Sequence, residues 1–285
     1  MPERCPSAIL LHFAPAGAVS LPSAPILTVL VVYGVALFAI GLWGGRESST
    51  VAGYFVAGKR LPAWVIAFSN NATGESAWLL LGLTGMGYAV GFHALWVVLG
   101  EVLGVTLGWT LVALPFMEYT DRYDAITVPD YLTARFRDRT HAFRWIALVV
   151  ILSMVTAYTA AQLTATGKAF NSFIGTSYQG GVILGAIIIL FYTTVGGFKA
   201  VAYSDLLQGL LMFSGLAIMP IVGFAAAGGW SSVMAKLAAD DPALLSPMGS
   251  FGLTLPGLVS AAGFVAVGLA FLGAPQLLVR WISAS

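Results

Sequence analysis

Apolar residues run through this chain in blocks of about twenty, the length an α-helix needs to cross the ~30 Å hydrocarbon core of a bilayer. Seven such blocks are read as membrane spans, near 24–43, 63–88, 92–114, 143–167, 179–196, 206–227 and 255–279. Helices buried in a soluble core would need only about 10–14 apolar residues. The breaks between blocks hold most of the charges and turn formers: Gly44-Gly45-Arg46-Glu47, the long 115–142 segment, Gly196-Gly197, and Gly228-Gly229 onward. Inside the 115–142 segment, Thr127-Val128-Pro129-Asp130 reads as a helix start, with proline early and an acid in the first turn. Val128, Leu132 and Phe136 then recur every four residues beside Arg135, Arg137 and Arg139. That pattern predicts a short amphipathic helix lying at the membrane surface.

One span departs from the apolar rule. At the middle of the second block stand Ser69-Asn70-Asn71-Ala72-Thr73-Gly74-Glu75-Ser76. A charge at the centre of a lipid-facing helix costs about 2.5–3.5 kcal/mol on insertion scales, so these groups should face protein or a watery cavity and mark a path for solute. Gly74 is a poor helix former, and the flanking Asn, Ser and Thr compete for the backbone. An unwound stretch is therefore expected here, offering main-chain carbonyls as hard oxygen ligands. The seventh block has a second interruption, thinned by Gly263, Gly268 and Gly273 and broken by Pro275 just before Gln276 and Arg280. Interrupted helices at corresponding places of two halves point to the substrate and ion site of a transporter. Taking 63–227 as a first five-helix repeat makes 255–280 the opening helix of an inverted second copy.

The third block carries Gly100, Gly104 and Gly108, a small-residue ladder that lets two helices approach closely. Glu101 lies about 60° from Gly104 and about 20° from Gly108 around a helix, so it shares the packed face. It is expected to bond a neighbouring helix or, on a second reading, to relay protons.

Composition agrees with a membrane class. Of 285 residues, 59% are hydrophobic and 9% charged, with a mean hydropathy of +0.90; soluble domains average about 25% charged residues. Net charge is +1, which gives no footprint for nucleic acid. A single cysteine, Cys5, excludes an intrachain disulfide, and His12, His93 and His141 have no ligand spacing. Residues 1–23, with Pro15 and Pro22 and a neutral Pro2-Glu3-Arg4 start, form a poorly defined N-terminus and a poor signal peptide. Positive residues are retained in the cytoplasm. Ten of them (Arg46, Lys59, Arg60, Arg122, Arg135, Arg137, Arg139, Arg144, Lys199, Arg280) fall on one side of the seven-span topology, against Arg4, Lys168 and Lys236 on the other. The N-terminus is expected outside, in the inner membrane of the cell.

Four segments resemble the sodium/solute symporter family, most of all its proline-carrying bacterial branch. They are Gly74-Glu75-Ser76-Ala77-Trp78-Leu79-Leu80-Leu81-Gly82, Val128-Pro129-Asp130-Tyr131, Tyr192-Thr193-Thr194-Val195-Gly196-Gly197-Phe198, and Gly273-Ala274-Pro275-Gln276 with Arg280. The likeness is collinear over about 25–285. It implies an all-α multi-pass membrane protein with a leucine-transporter-like inverted-repeat fold, its transporter domain covering 24–285. Family members run to about 500 residues, so the chain looks truncated after about seven helices, short of the later helix that completes the family's sodium site. The resemblance also implies sodium-driven uptake of a small organic solute, an amino acid such as proline, with Na⁺ as coupling ion, no other cofactor and no enzymatic activity.

Carried over position by position, backbone carbonyls of Ala72 and Glu75 would bind sodium. Ser76, Trp78, Tyr158, Val267, Phe271 and Pro275 would line the solute region. Lys59 would stand for a functional arginine on the cytoplasmic approach. The chain departs at Gly74, where the proline-carrying branch has an aspartate critical for sodium use, and Glu75 is the neighbouring carboxylate. Val267 and Phe271 replace a tryptophan and a tyrosine. Two alternatives remain: a proton-coupled transporter of the same fold, using Glu75 or Glu101, and a transporter-like sensor domain of a signalling protein.

Overall fold

The computed structural model describes residues 24–46 and 49–284. Cys5, His12, the rest of 1–23 and Glu47 lie outside the described residues. The chain begins with α1 (Ala24–Gly45), α2 (Val51–Val56), α3 (Ala63–Ala77) and α4 (Thr84–Val90). It continues through α5 (Leu95–Leu107), α6 (Leu114–Arg122), α7 (Val128–Arg135) and α8 (Ala142–Ile174). Last come α9 (Tyr178–Ala226), α10 (Trp230–Asp240), α11 (Leu255–Leu269) and α12 (Pro275–Ile282). Wider π turns at Trp78–Leu83 and Gly108–Ala113 join α3 to α4 and α5 to α6.

Five helical stretches among the described residues are long and apolar enough to cross a membrane, and two of these, 63–122 and 178–226, have 60 and 49 residues. At 1.5 Å per residue they would reach about 90 and 74 Å if straight, two to three times the hydrocarbon thickness. Each is instead bent back at a glycine, Gly91 (φ 58°) and Gly197 (φ 60°), a left-handed conformation that only glycine adopts freely. The first folds as a hairpin. Lys59, before α3, pairs with Asp121, near the end of α6, at 2.7 Å, and Trp78 meets Glu101 midway. In the second, both arms lie along α1: Phe38 packs on Phe191 of the first arm and Trp43 on Tyr203 of the other.

Glycine seams set the closest approaches. A Cβ on Gly44 would come within 2.9 Å of both Ala200 and the Gly196 carbonyl, which locks α1 against the fold in α9. Cβ atoms on Gly100 and Gly104 would collide with the backbone of α11 at Val265 and Gly268, and one on Gly268 with the backbone of Gly100 and Glu101. The ladder expected from the sequence thus joins α5 to α11. The small buried core of Leu61, Val65, Ile66 and Ala202 gathers the start of α3 and the second arm of α9. Leu277, Trp281 and Ile282 of α12 are buried as well. Elsewhere apolar side chains remain outward, among them Val149, Val150, Leu152 and Met154 of α8, as a lipid-facing helix requires.

Several boundaries differ from those expected. Helix continues past 114 to Arg122, so only 123–141 connects, and α7 lies inside it with Thr127 as its N-cap. The fourth span extends to Ile174. Beyond Gly229 the chain forms α10 rather than a plain loop. Arg280 is no loop charge: its side chain is buried and paired with Asp205, which leaves nine positive residues, not ten, at that end.

Candidate functional site

Both expected interruptions exist, and their places are specific. In α3 the break falls at Ser76 (φ 42°, ψ −149°), not at Gly74, and helix is kept through Glu75. A left-handed φ at a residue with a side chain is uncommon and is held only where its surroundings fix it. Those surroundings come from α8. In an unbroken helix the Ala77 N–H would donate to the Thr73 carbonyl four residues back. Here the Ala77 N–H donates to Gln162 Oε1 at 3.2 Å, and the Thr73 carbonyl accepts from the Tyr158 hydroxyl at 3.1 Å. Gln162 Nε2 also donates to Ser76 Oγ at 3.3 Å. Tyr158 and Gln162 are four residues apart and so share one face of α8. Two side chains thereby satisfy the main-chain pair that the break separates.

The second interruption spans 270–274: a 3₁₀ turn at Ala270–Leu272, then Gly273 and an extended Ala274, before α12 restarts at Pro275. Proline suits the first turn of a helix because the N–H it lacks would have no partner there. The two breaks meet. A Cβ on Gly74 would lie 2.5 Å from Phe271 Cε1, so the aspartate implied at 74 by the family resemblance would need the Phe271 ring to move.

Below the first break lies a buried charge cluster. Arg280 Nη2 donates to Asp205 Oδ2 at 2.7 Å, and its Nε donates to Ser69 Oγ and the Ser69 carbonyl at 2.9 and 3.1 Å. Ser69 and Thr73 hydroxyls donate to the same Asp205 oxygen at 2.6 and 3.3 Å. The Arg280 guanidinium also faces the Phe198 ring. This cluster ties α3, the second arm of α9 and α12 together. A buried ion pair this fully hydrogen-bonded is costly to break from either side.

On the opposite flank of α3 a cavity of about 510 Å³ is lined by Asn71, Ala72, Glu75, Glu101 and Thr106 with apolar groups from α9. Glu101 is buried and accepts from Trp78 Nε1 at 2.7 Å, the helix–helix bond its position predicted. Glu75 Oε2 and Asn70 Oδ1 are buried without a hydrogen-bond partner among the described residues. The Glu75 carbonyl accepts from the Trp78 N–H.

Of the residues expected to act, Ala72, Glu75 and Glu101 share that cavity, while Ser76 and Tyr158 meet at the break. Trp78 is turned onto Glu101, Gly74 and Phe271 are in contact, and Pro275 opens α12. Val267 is 43% exposed and joins none of these contacts. Lys59 sits at the end of the bundle on Asp121, away from both breaks. Sequence reading missed Gln162, Asp205 and the role of Ser69. Gln162 could have been found from its spacing to Tyr158. Asp205 was hidden by lying one residue before an expected span.

A family model described as the sodium:solute symporter family matches residues 54–285. The high-affinity proline transporter PutP of Bacillus subtilis (strain 168) is 33% identical over 248 residues, 87% of this chain and 51% of that protein. The osmoregulated proline transporter OpuE of the same strain is 30% identical over 262 residues, 92% and 52%. A sodium/proline symporter of Staphylococcus aureus (strain NCTC 8325 / PS 47) is 32% identical over 257 residues, 90% and 49%. The chain spans about half the length of these relatives. A Na⁺-coupled sialic acid symporter, solved in a substrate-bound outward-open state, superposes with a TM-score of 0.76 at 22% identity, over 90% of this chain and 53% of its own. That likeness gives the fold. With a family match that takes in both interrupted helices and the α8 tether between them, the chain belongs to the sodium:solute symporter family.

Proposed function

We propose that this chain carries the ion- and solute-binding notch of a sodium-coupled symporter for a small organic solute, an amino acid such as proline. The observation that carries the reading is the meeting of two interrupted helices, at Ser76 and at 270–274, with Gly74 against Phe271 between them. Carbonyls of Ala72 and Glu75 are the sodium ligands this chain would supply. Support comes from the unsatisfied Asn70 Oδ1 and Glu75 Oε2 on the same helix, because buried acceptors without donors suit a hard cation. Ser76, Trp78, Tyr158, Phe271 and Pro275, with Val267 further along α11, form the solute region. The relatives named as proline transporters motivate the choice of solute.

In this reading 63–227 is the first repeat of a leucine-transporter-like inverted pair, and 255–280 opens the second. Sodium binding favours an outward-open state, the solute caps it, and the helices rock to release both inside. The membrane potential supplies about 2.3 kcal/mol per charge per 100 mV. The basic end, with Arg46, Arg60, Arg122, Arg135 and Arg144, faces the cytoplasm and the N-terminus faces out. Uptake of labelled proline by cells carrying the full protein tests this, with Na⁺ replaced by choline. Loss of uptake is expected, and uptake that persists undiminished in choline refutes sodium coupling.

The partnerless Glu75 carboxylate oxygen also favours a proton-coupled variant of the same mechanism. Uptake that follows a pH step without Na⁺ and collapses in Glu75→Gln would establish that alternative.

A further inference from the structure

We infer that the cavity between α3, α5 and the second arm of α9 binds an organic ammonium ion that carries N–H donors on an apolar body. Its volume of about 510 Å³ is that of a small-molecule site, where mostly apolar walls carry a few convergent polar groups. Here Glu75 and Glu101 converge, with Asn71 and Thr106 beside them, and no basic residue lines the space among the described residues. Glu75 Oε2 has no hydrogen-bond partner. Glu101 is 6% exposed, and one of its oxygens is taken by Trp78 Nε1. The buried Arg280 is committed elsewhere, to Asp205 and Ser69. A carboxylate at membrane depth is costly and calls for a positive partner.

The polar and apolar parts of the cavity are laid out along the bundle. A Cβ on Gly209 would lie 3.2 Å from Phe68 Cδ1 and 3.8 Å from Ala72 Cβ, so α9 meets α3 below the carboxylates. Leu216 stands two turns farther along α9, about 10 Å. Leu79 and Leu83 follow Glu75 toward the His93 end, and Val98 precedes Glu101 on that same side. These four line an apolar stretch beyond the two acids. A fitting ligand puts its charged head at Glu75 and Glu101 and its hydrocarbon over those side chains.

Two features choose among cations. A bare alkali ion would fill little of this space and leave its apolar walls uncovered. An unpartnered carboxylate oxygen also calls for an N–H, since N⁺–H···O⁻ bonds are short and strong, and a quaternary ammonium has none to give. The site uses side chains on one flank of α3, whereas the sodium ligands proposed above are main-chain carbonyls and the solute region faces α8.

The test is calorimetric titration of the purified full protein with phenethylamine, in non-ionic detergent and amine-free potassium phosphate near neutral pH. Phenethyl alcohol and phenethyltrimethylammonium are the further arms. Saturable binding of the amine is expected, with each analogue at least about tenfold weaker, as for loss of one charge-assisted hydrogen bond. Glu75→Gln should weaken amine binding by a similar factor. Val102→Trp gives an independent variant, because Val102 lines the cavity yet is exposed, so a larger side chain narrows the space without crowding the core. It should also weaken binding, whereas Val149→Trp, on the outward side of α8, should not. No saturable binding to the unaltered protein, equal binding of either analogue, or unchanged binding in Glu75→Gln or Val102→Trp overturns the inference. So does loss of amine binding when sodium phosphate replaces potassium phosphate, which would give the carboxylates to the alkali ion. The uptake measurement in choline is read separately, since amine binding and sodium-driven uptake can each fail without the other.

Discussion

An unreplaced main-chain hydrogen bond costs several kcal/mol inside a bilayer, which makes Tyr158 and Gln162 structural conditions of the break they serve. Leaving one buried group unsatisfied costs about 1–3 kcal/mol, so Tyr158→Phe and Gln162→Leu should each weaken the notch. The expected outcome is an about tenfold rise in the Na⁺ concentration that half-activates uptake, at unchanged protein level in the membrane. The amide of Gln162 also has a fixed sense. The Ala77 N–H can only donate, so Oε1 must face it and Nε2 must face Ser76. Ser76 then keeps its own hydroxyl proton for an incoming acceptor. Arg280→Met should lower thermal stability strongly, by about 3–5 kcal/mol, because Asp205 is left charged and buried. Asp205→Asn in the same molecule should recover most of that loss in a thermal unfolding assay. The polar stretch 69–76 itself was readable, since six polar side chains among eight residues of a membrane block stand out. Its partners were not: Gln162 is one amide in an ordinary span, and only three-dimensional pairing gives it meaning.

Helices were legible in position and less so in extent. Hydropathy reports where the membrane ends, not where the helix does. Glu118, Asp121 and Arg122 close an apolar block, yet α6 includes all three before it ends at Arg122. The reverse holds at Asp138. Its carboxylate accepts from the Thr140 hydroxyl at 2.7 Å and from the Phe143 N–H at 2.8 Å, at the start of α8. The Thr140 bond first, then that from Phe143, holds its pKa below the ordinary 3.8. A lowered carboxylate pKa adds stability that is complete above the ordinary value and is lost as pH falls through the lowered one. Amide exchange in residues 142–145, taken relative to each amide's intrinsic rate at the same pH, should therefore be slow at neutral pH and quicken only below about pH 3.8. In Asp138→Ala it should be fast throughout. Packing between helices follows the glycine seams, so Gly104→Val should separate α5 from α11. The expected reading is a reduced yield of monodisperse protein on size exclusion, with Gly85→Val, which meets nothing within 4 Å, as the unaffected control.

The arrangement of the bundle was legible because the two interruptions and the charge asymmetry constrain each other. Positive residues after spans one, three and five meet at one end of the folded chain, where Lys59 reaches Asp121 and Leu61 pairs with Ser283. The other end is marked by His93, which bonds the Pro247 carbonyl and Ser260. With Cys5 replaced by serine, Ser246→Cys should react with an impermeant maleimide in intact cells, and Thr140→Cys only after permeabilisation. The opposite labelling would invert the proposed orientation. Finally, the glycine seam holds α11 to α5 at backbone contact, whereas the Arg280 cluster fastens α12 to α3 and α9. The two pieces of one broken helix are thus bolted to different partners. Any rocking of one group against the other must be absorbed by the five residues 270–274, so that short hinge, rather than the rods it joins, is where motion should concentrate.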